Sequence, residues 1–251
     1  MLLRPSHVWG TALIAIIATA ILVVVIIVLC ATDAPHDPRT PPPAVTFSTL
    51  GTSFGVILFG FGGHAILPAL QATMADPTPA RFRRAILLSF GVCTVLYLST
   101  SIASVARLGG TVSGDVLTNF RRGVANDFGL VSVTAHLLFA AVTVHIPVGQ
   151  ILDHYCGATE LGARQIGIRV TTMTLVALVI WAAGDRFFCV IGLVGGTFSN
   201  AMIFIFPPWF YLKLLDPEHR TAALWVRLVG IMAIGTAGMV SALIGAVHSC
   251  E

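Results

Sequence analysis

The residues of this chain best suited to chemistry are Gly62, Gly63, His64 and Pro68, which fall together in the middle of an otherwise apolar run covering residues 50–74. In lipid every backbone N–H and C=O must find a partner, so a glycine pair and a proline at mid-depth belong where freed groups face protein, water or a ligand. Gly60, Gly62 and Gly63 are therefore expected to leave backbone groups aimed at the charged ends of a small solute, as helix termini do. Close helix packing is the alternative use of such glycines. Pro68, four residues after His64, is expected to carry the helix break. Phe59 and Phe61 flank the glycines and would shape a pocket for a substrate side chain, although phenylalanines in membrane segments more often touch lipid or a neighbouring helix. His64 is ionisable at mid-depth, and an unperturbed pKa near ~6.5 suits loading and release of a proton. A histidine bonded to neighbouring backbone as a structural lock fits the same position.

A second polar group lies in the sixth apolar run, where Asn200 joins Ser199 and Thr197 beside Gly192, Gly195 and Gly196. The small residues suit tight helix packing, and Asn200 is expected to line a substrate path. Other ionisable residues point to structure. His136 and His145 share one run nine positions apart, about 900° around a helix at ~100° per residue. They face opposite sides and read as interhelical hydrogen bonders, with Pro147 able to kink the helix between them and its end. Ser132 and Thr134 would serve a cation site only if they were not already bonded to their own backbone. Asp115, Asp127, Asp153 and Asp185 fall at the ends of runs, where solvation is expected. Arg227 has a stem long enough to snorkel from the start of the last run.

Five cysteines (Cys30, Cys93, Cys156, Cys189 and Cys250) lack CxxC or Cys/His spacing, which supports neither zinc nor a disulfide framework. They read as packing residues, with Cys30 and Cys250 the one pair that topology would bring to the same side. No metal site is expected. Nucleophile elbows, P-loops and HExxH motifs are absent and no carboxylates pair within the apolar runs, so enzymatic function is not expected.

The elements that must position these residues are membrane spans. Of 251 residues, 56% are hydrophobic and 10% charged, with a mean hydropathy of +0.91, far from the range of a soluble domain. Apolar runs over 8–31, 50–74, 85–106, 128–151, 166–184, 187–212 and 222–247 predict seven transmembrane helices in a single all-α domain, 1–251. A proline-rich connection covers 32–49, and 107–127, with four glycines, predicts an irregular loop with a short surface helix. One set of alternate connections holds eight lysines and arginines and the other five, which places the N-terminus in the cytosol and the C-terminus outside it. A net charge of +3 spread over such loops leaves no nucleic-acid footprint. The only lysine, Lys213, precedes the last run, so a retinal Schiff base within it is excluded. A seven-helix receptor would need the opposite orientation and no broken helix.

The run from Phe59 to Pro77, FGFGGHAILPALQATMADP, followed by Arg81-Phe82-Arg83-Arg84, resembles the signature of the amino acid/auxin permease family, and most closely its vacuolar and vesicular proton-coupled branch. Gly114-Asp115-Val116-Leu117-Thr118-Asn119-Phe120 is similar to the loop after that family's seventh helix. Phe204 to Leu212 is similar to the close of its tenth. The resemblance implies the leucine-transporter fold, two inverted five-helix repeats with substrate held at unwound mid-membrane segments. This chain would supply helices five to eleven. It also implies a small neutral amino acid as substrate, a proton or sodium as the coupling ion, no cofactor, and residence in a vacuolar, lysosomal or plasma membrane. Because the first repeat is missing from this alignment, the chain is expected to be part of a longer transporter. The alternatives are a half-protein that needs a partner and a scaffold that does not transport.

Overall fold

The computed structural model describes residues 8–33, 41, 44–158 and 162–250. Most of the proline-rich connection, Arg4 and Arg39 lie outside them, as do the side chains of Asp185 and Cys250. Among the described residues, seven helical stretches are long and apolar enough to cross a membrane. They comprise α1 (Val8–Thr32), α2 (Phe47–Gly60) continued by α3 (Leu67–Ala72), α4 (Pro79–Leu108), α5 (Val124–Tyr155), α6 (Ala163–Ala183), α7 (Phe187–Val194) continued by α8 (Phe206–Leu214), and α9 (Ala222–Cys250). The all-α polytopic architecture is as the apolar runs predict. The helices extend beyond those runs where polar residues cap them. Thr78 accepts from the backbone N–H of Arg81 at 3.3 Å and Pro79 opens α4, while Thr46 and Thr49 bond reciprocally at the start of α2.

The chain divides into two compact units, Met1–Pro43 with Pro68–Met173, and Ala44–Leu67 with Thr174–Glu251. In the first, α1 lies antiparallel along α5 and also packs on α4. One end of this unit is closed by Ile26, Leu29, Cys30, Leu108, Leu117 and Phe120. There Arg107 donates from Nε to the Cys30 carbonyl at 2.7 Å and from Nη2 to that of Ala31 at 3.3 Å, satisfying carbonyls that end α1. Gly109, at φ 56°, ends α4 in a conformation that glycine adopts without strain. The short helix expected within 107–127 exists as a 3-10 turn over Val116–Asn119, which exposes Thr118 and turns one side chain inward. Leu117 is 4% exposed, and the Asn126 amide donates to the carbonyls of Leu117, Phe120 and Arg121 at 3.2–3.3 Å.

In the second unit α2 packs antiparallel along α9 and against α7 and the segment that follows it. Helix approach here is set by backbone. A Cβ at Gly55 would stand 2.5 Å from the Gly192 carbonyl oxygen, one at Gly195 would overlap the Gly55 carbonyl, and one at Gly245 would stand 2.5 Å from that of Ser48. Without a hydrophobic drive between helices in lipid, such small-residue contact is what holds spans together. Within the spans, hydroxyls bond back to their own helices, as Thr94 does to Phe90, Thr134 to Leu130 and Thr236 to Met232.

Candidate functional site

The second span is interrupted, and the second unit contains the interruption. The N–H of Phe61 donates to Ile57 at 3.1 Å, that of Gly62 to Phe59 at 3.0 Å and that of Gly63 to Phe61 at 2.8 Å, so the ladder tightens from four residues to three to two. A 3-10 turn over Gly63–Ile66 follows, and α3 begins at Leu67. The break therefore falls at Phe61–Gly62. Pro68 sits in the first turn of α3, where its missing N–H disturbs nothing, and it restarts the helix instead of breaking it. The N–H groups of Gly62 and Gly63 are engaged inside the turn instead of being aimed at a solute.

Space explains the glycines better than backbone freedom does. A Cβ at Gly62 would stand 2.9 Å from the Phe59 carbonyl oxygen and 3.1 Å from Oγ of Ser199. A Cβ at Gly63 would meet nothing within 4 Å, so this residue borders open space. Phe59 and Gly60 are exposed, Phe61 and His64 half-buried. The His64 ring is hydrogen-bonded to the Phe61 backbone, which joins the imidazole to the break itself.

The 3-10 turn packs against the sixth span, which is also irregular. Between α7 and α8 the chain winds as π-helix over Gly195–Ser199 and again over Ala201–Ile205, with Asn200 at the junction. A continuous run over 187–212 gives no hint of this winding by its hydropathy. The signals are Gly195-Gly196, which tolerate a wider turn, and Pro207-Pro208, which offer no N–H to the carbonyls four residues earlier. The N–H of Phe206 reaches back five residues to Ala201. Asn200 is 0% exposed, and neither atom of its side-chain amide has a partner among the described residues. Its Oδ1 lies 3.1 Å from where a Cβ of Gly235 would stand, so it faces α9 in this structure. The site thus joins the break (Phe59, Gly60, Phe61, Gly62, Gly63 and His64) to Ser199 through Gly62, while Asn200 lies beneath the surface of the same irregular span.

In the first unit, several expectations change. Asp153 is buried, not solvated. Its Oδ2 accepts from Arg169 Nη2 at 2.8 Å and from Gln165 Nε2 at 2.6 Å, and the guanidinium lies across Gly149, where a Cβ would stand 3.1 Å away. The chain reverses between α5 and α6, which brings together residues 16 apart that no helical spacing connects. His136 is the expected interhelical bonder, with Nδ1 2.7 Å from Thr19 Oγ1. His145 is not, because its buried Nε2 has no partner. Ser132 and Thr134 donate to their own helix at 2.8 Å. Among the cysteines, Cys189 is disulfide-bonded, against the expectation of packing cysteines alone. Cys30, the residue paired with Cys250 on topological grounds, is free and buried. Among the described residues no group of three His, Cys, Asp or Glu is placed to hold a metal.

A family model described as "Transmembrane amino acid transporter protein" matches residues 1–248. Among curated proteins of Arabidopsis thaliana, amino acid transporter AVT1D is 25% identical over 203 residues, covering 78% of this chain and 36% of that protein. AVT1B is 23% identical, covering 80% and 38%, and a protein named GABA transporter 1 is 23% identical, covering 74% and 44%. The chain thus spans well under half the length of these relatives. No solved structure matches.

Proposed function

We propose that this chain, which belongs to the transmembrane amino acid transporter family, takes part in moving a small neutral amino acid across a membrane, with the interrupted second span as the element that meets the substrate. The observation that carries the reading is the packing of the Gly63–Ile66 turn on the π-wound Ala201–Ile205, with open space beside Gly63. Irregular backbone at membrane depth is found where it lines a cavity or a substrate site, and π-winding concentrates at functional positions.

A neutral substrate is favoured by the residues around the break. Across Phe47–Ala72 and Cys189–Leu214 the only charged residue is Lys213, at the end of its span. A substrate with a charged side chain would find no fixed counter-charge there. The coupling ion is read as a proton, with His64 as the titratable group at the break, and the membrane as vacuolar or lysosomal. The seven spans are read as the fifth to eleventh helices of an inverted-repeat transporter, and the full transport activity as that of an assembly or longer protein containing them.

Uptake of labelled alanine into proteoliposomes bearing an inward-directed proton gradient tests the reading. A Cβ at Gly63 meets nothing within 4 Å, so Gly63→Leu should insert and unfold as the unsubstituted chain does while its side chain occupies the open space and uptake is lost. Undiminished uptake by Gly63→Leu would sink the site. Uptake that ignores the pH gradient in the unsubstituted protein would refute proton coupling alone.

A further inference from the structure

We propose that His136, on α5 and away from the interrupted span, is a second proton-binding site of this protein, taking a proton on Nε2 while Nδ1 clasps α5 to α1. Thr19 Oγ1 donates to the Ala15 carbonyl at 2.8 Å, and His136 Nδ1 stands 2.7 Å from that hydroxyl and 3.1 Å from the same carbonyl. A carbonyl only accepts, and the hydroxyl has one proton, already directed to Ala15. The arrangement is consistent when Nδ1 carries the hydrogen and donates to Thr19 and Ala15. With a bare Nδ1, two lone pairs would face each other at 3.1 Å. The neutral ring is therefore fixed in the Nδ1–H tautomer, and its basic lone pair is on Nε2.

That nitrogen has no hydrogen-bond partner among the described residues, and the His136 side chain as a whole is half-buried. Imidazole and hydronium thus yield imidazolium and water at Nε2, and no bond of the clasp has to break. Instead the new charge strengthens it, because a charged donor makes the Nδ1–H bonds stronger. Protonation is expected to tighten α1 on α5 at mid-span, and deprotonation to loosen it.

No fixed charge competes for this role. Between Val8 and Thr32, α1 has no charged residue. On α5 the nearest titratable residues are Asp127 and His145, each nine positions from His136, hence on the opposite helix face. Asp115, in the turn that packs on the start of α5, and the Asp153–Arg169 pair with Arg164 lie toward the two ends of that helix. A polar contact between Thr11 and Thr143 at 3.3 Å continues the same α1–α5 seam.

The site is read directly by nitrogen NMR of the full chain, labelled with 15N-histidine and reconstituted in bilayers. His136→Asn places an amide nitrogen where Nδ1 stands, keeps the clasp, and removes Nε2, so the missing resonances identify His136. Should that variant not fold, Thr19→Val leaves every histidine in place and shifts the ring bonded to the hydroxyl. The expected result is a ring protonated on Nδ1 alone in alkaline buffer that gains its second proton, on Nε2, when the buffer is acidified. With it, one fewer proton is taken up per chain by His136→Asn on that acidification. An Nε2–H tautomer, or a ring that does not titrate, would overturn the proposal. The functional arm rests on the transport reading: His136→Asn is expected to lose gradient-driven accumulation of alanine. A longer protein or assembly containing this chain that titrates at His136 but moves no amino acid would refute transport and leave the proton site standing.

Discussion

Asp153, which is buried, and the half-buried Gln165 and Arg169 form a polar cluster in which one carboxylate oxygen accepts two bonds, while Asp153 Oδ1, Gln165 Oε1 and Arg169 Nε have no partner among the described residues. Such a pair contributes little net stability when intact, because the Asp153 carboxylate and much of the guanidinium have lost water. Breaking it from one side is different. Arg169→Met leaves the carboxylate buried and uncompensated and is expected to cost about 3–5 kcal/mol, read as a lowered midpoint of thermal unfolding in detergent. The double variant Asp153→Asn with Arg169→Met should recover much of that loss. Asn200 presents the reverse case. A fully buried amide without partners costs on the order of 1–3 kcal/mol, so Asn200→Leu, which keeps the number and branching of the side-chain heavy atoms, should raise the unfolding midpoint. Accompanying loss of uptake would mark the amide as a group that meets its partner during transport. Unchanged stability would mean that the amide is satisfied in the resting protein.

At the scale of elements, the second unit depends on backbones that touch. Gly195 faces the Gly55 carbonyl and Gly196 the Ala242 methyl, each too close for any side chain. Gly195→Ala is therefore expected to destabilise by about 1–3 kcal/mol through forced separation of α2 from the sixth span. Gly230→Ala, with nothing within 4 Å, serves as the comparison and should be neutral or slightly stabilising. Yield of folded protein after detergent extraction discriminates the two. The π-winding ahead of Pro207 and Pro208 is explained by the two missing donors, so Pro207→Ala should permit local rewinding to α-helix. Faster labelling of a cysteine introduced at Met202 or slower hydrogen exchange over 201–206 would report it, and an unchanged pattern would place the cause in Gly195-Gly196 instead.

At the scale of the whole molecule, the membrane determines what each helix must do. The apolar stretches of α4 and α6 have no buried residues within their most apolar windows, and Leu87, Leu88, Ile102, Val179 and Trp181 are more than half exposed. These surfaces suit lipid or a further protein surface. The basic residues carry the expectation for orientation, and Arg107 ties the ends of α1 and α4 together on the side opposite Arg81, Arg83 and Arg84. A tag at the N-terminus should be accessible from the cytosol and a glycosylation site inserted near Gly114 from the other side. The opposite pattern would reverse the topology.

The sequence by itself determined the seven spans, because membrane thickness requires some twenty apolar residues for each helix and each run shows that length directly. It also located the irregular stretch of the second span, since glycines and a proline in lipid have few permissible uses, and it carried the family, since the Phe59–Pro77 motif is contiguous. Only the tertiary structure decided what depends on residues far apart in the chain. Phe61–Gly62 breaks the helix while Pro68 restarts it, because the choice rests on which N–H finds which carbonyl and on the approach of Ser199 to Gly62. Asp153 is buried because the reversal between α5 and α6 delivers Arg169 and Gln165 to it. The tautomer of His136 is imposed by a hydroxyl and a carbonyl 117 and 121 residues away, and no local pattern in α5 contains that information.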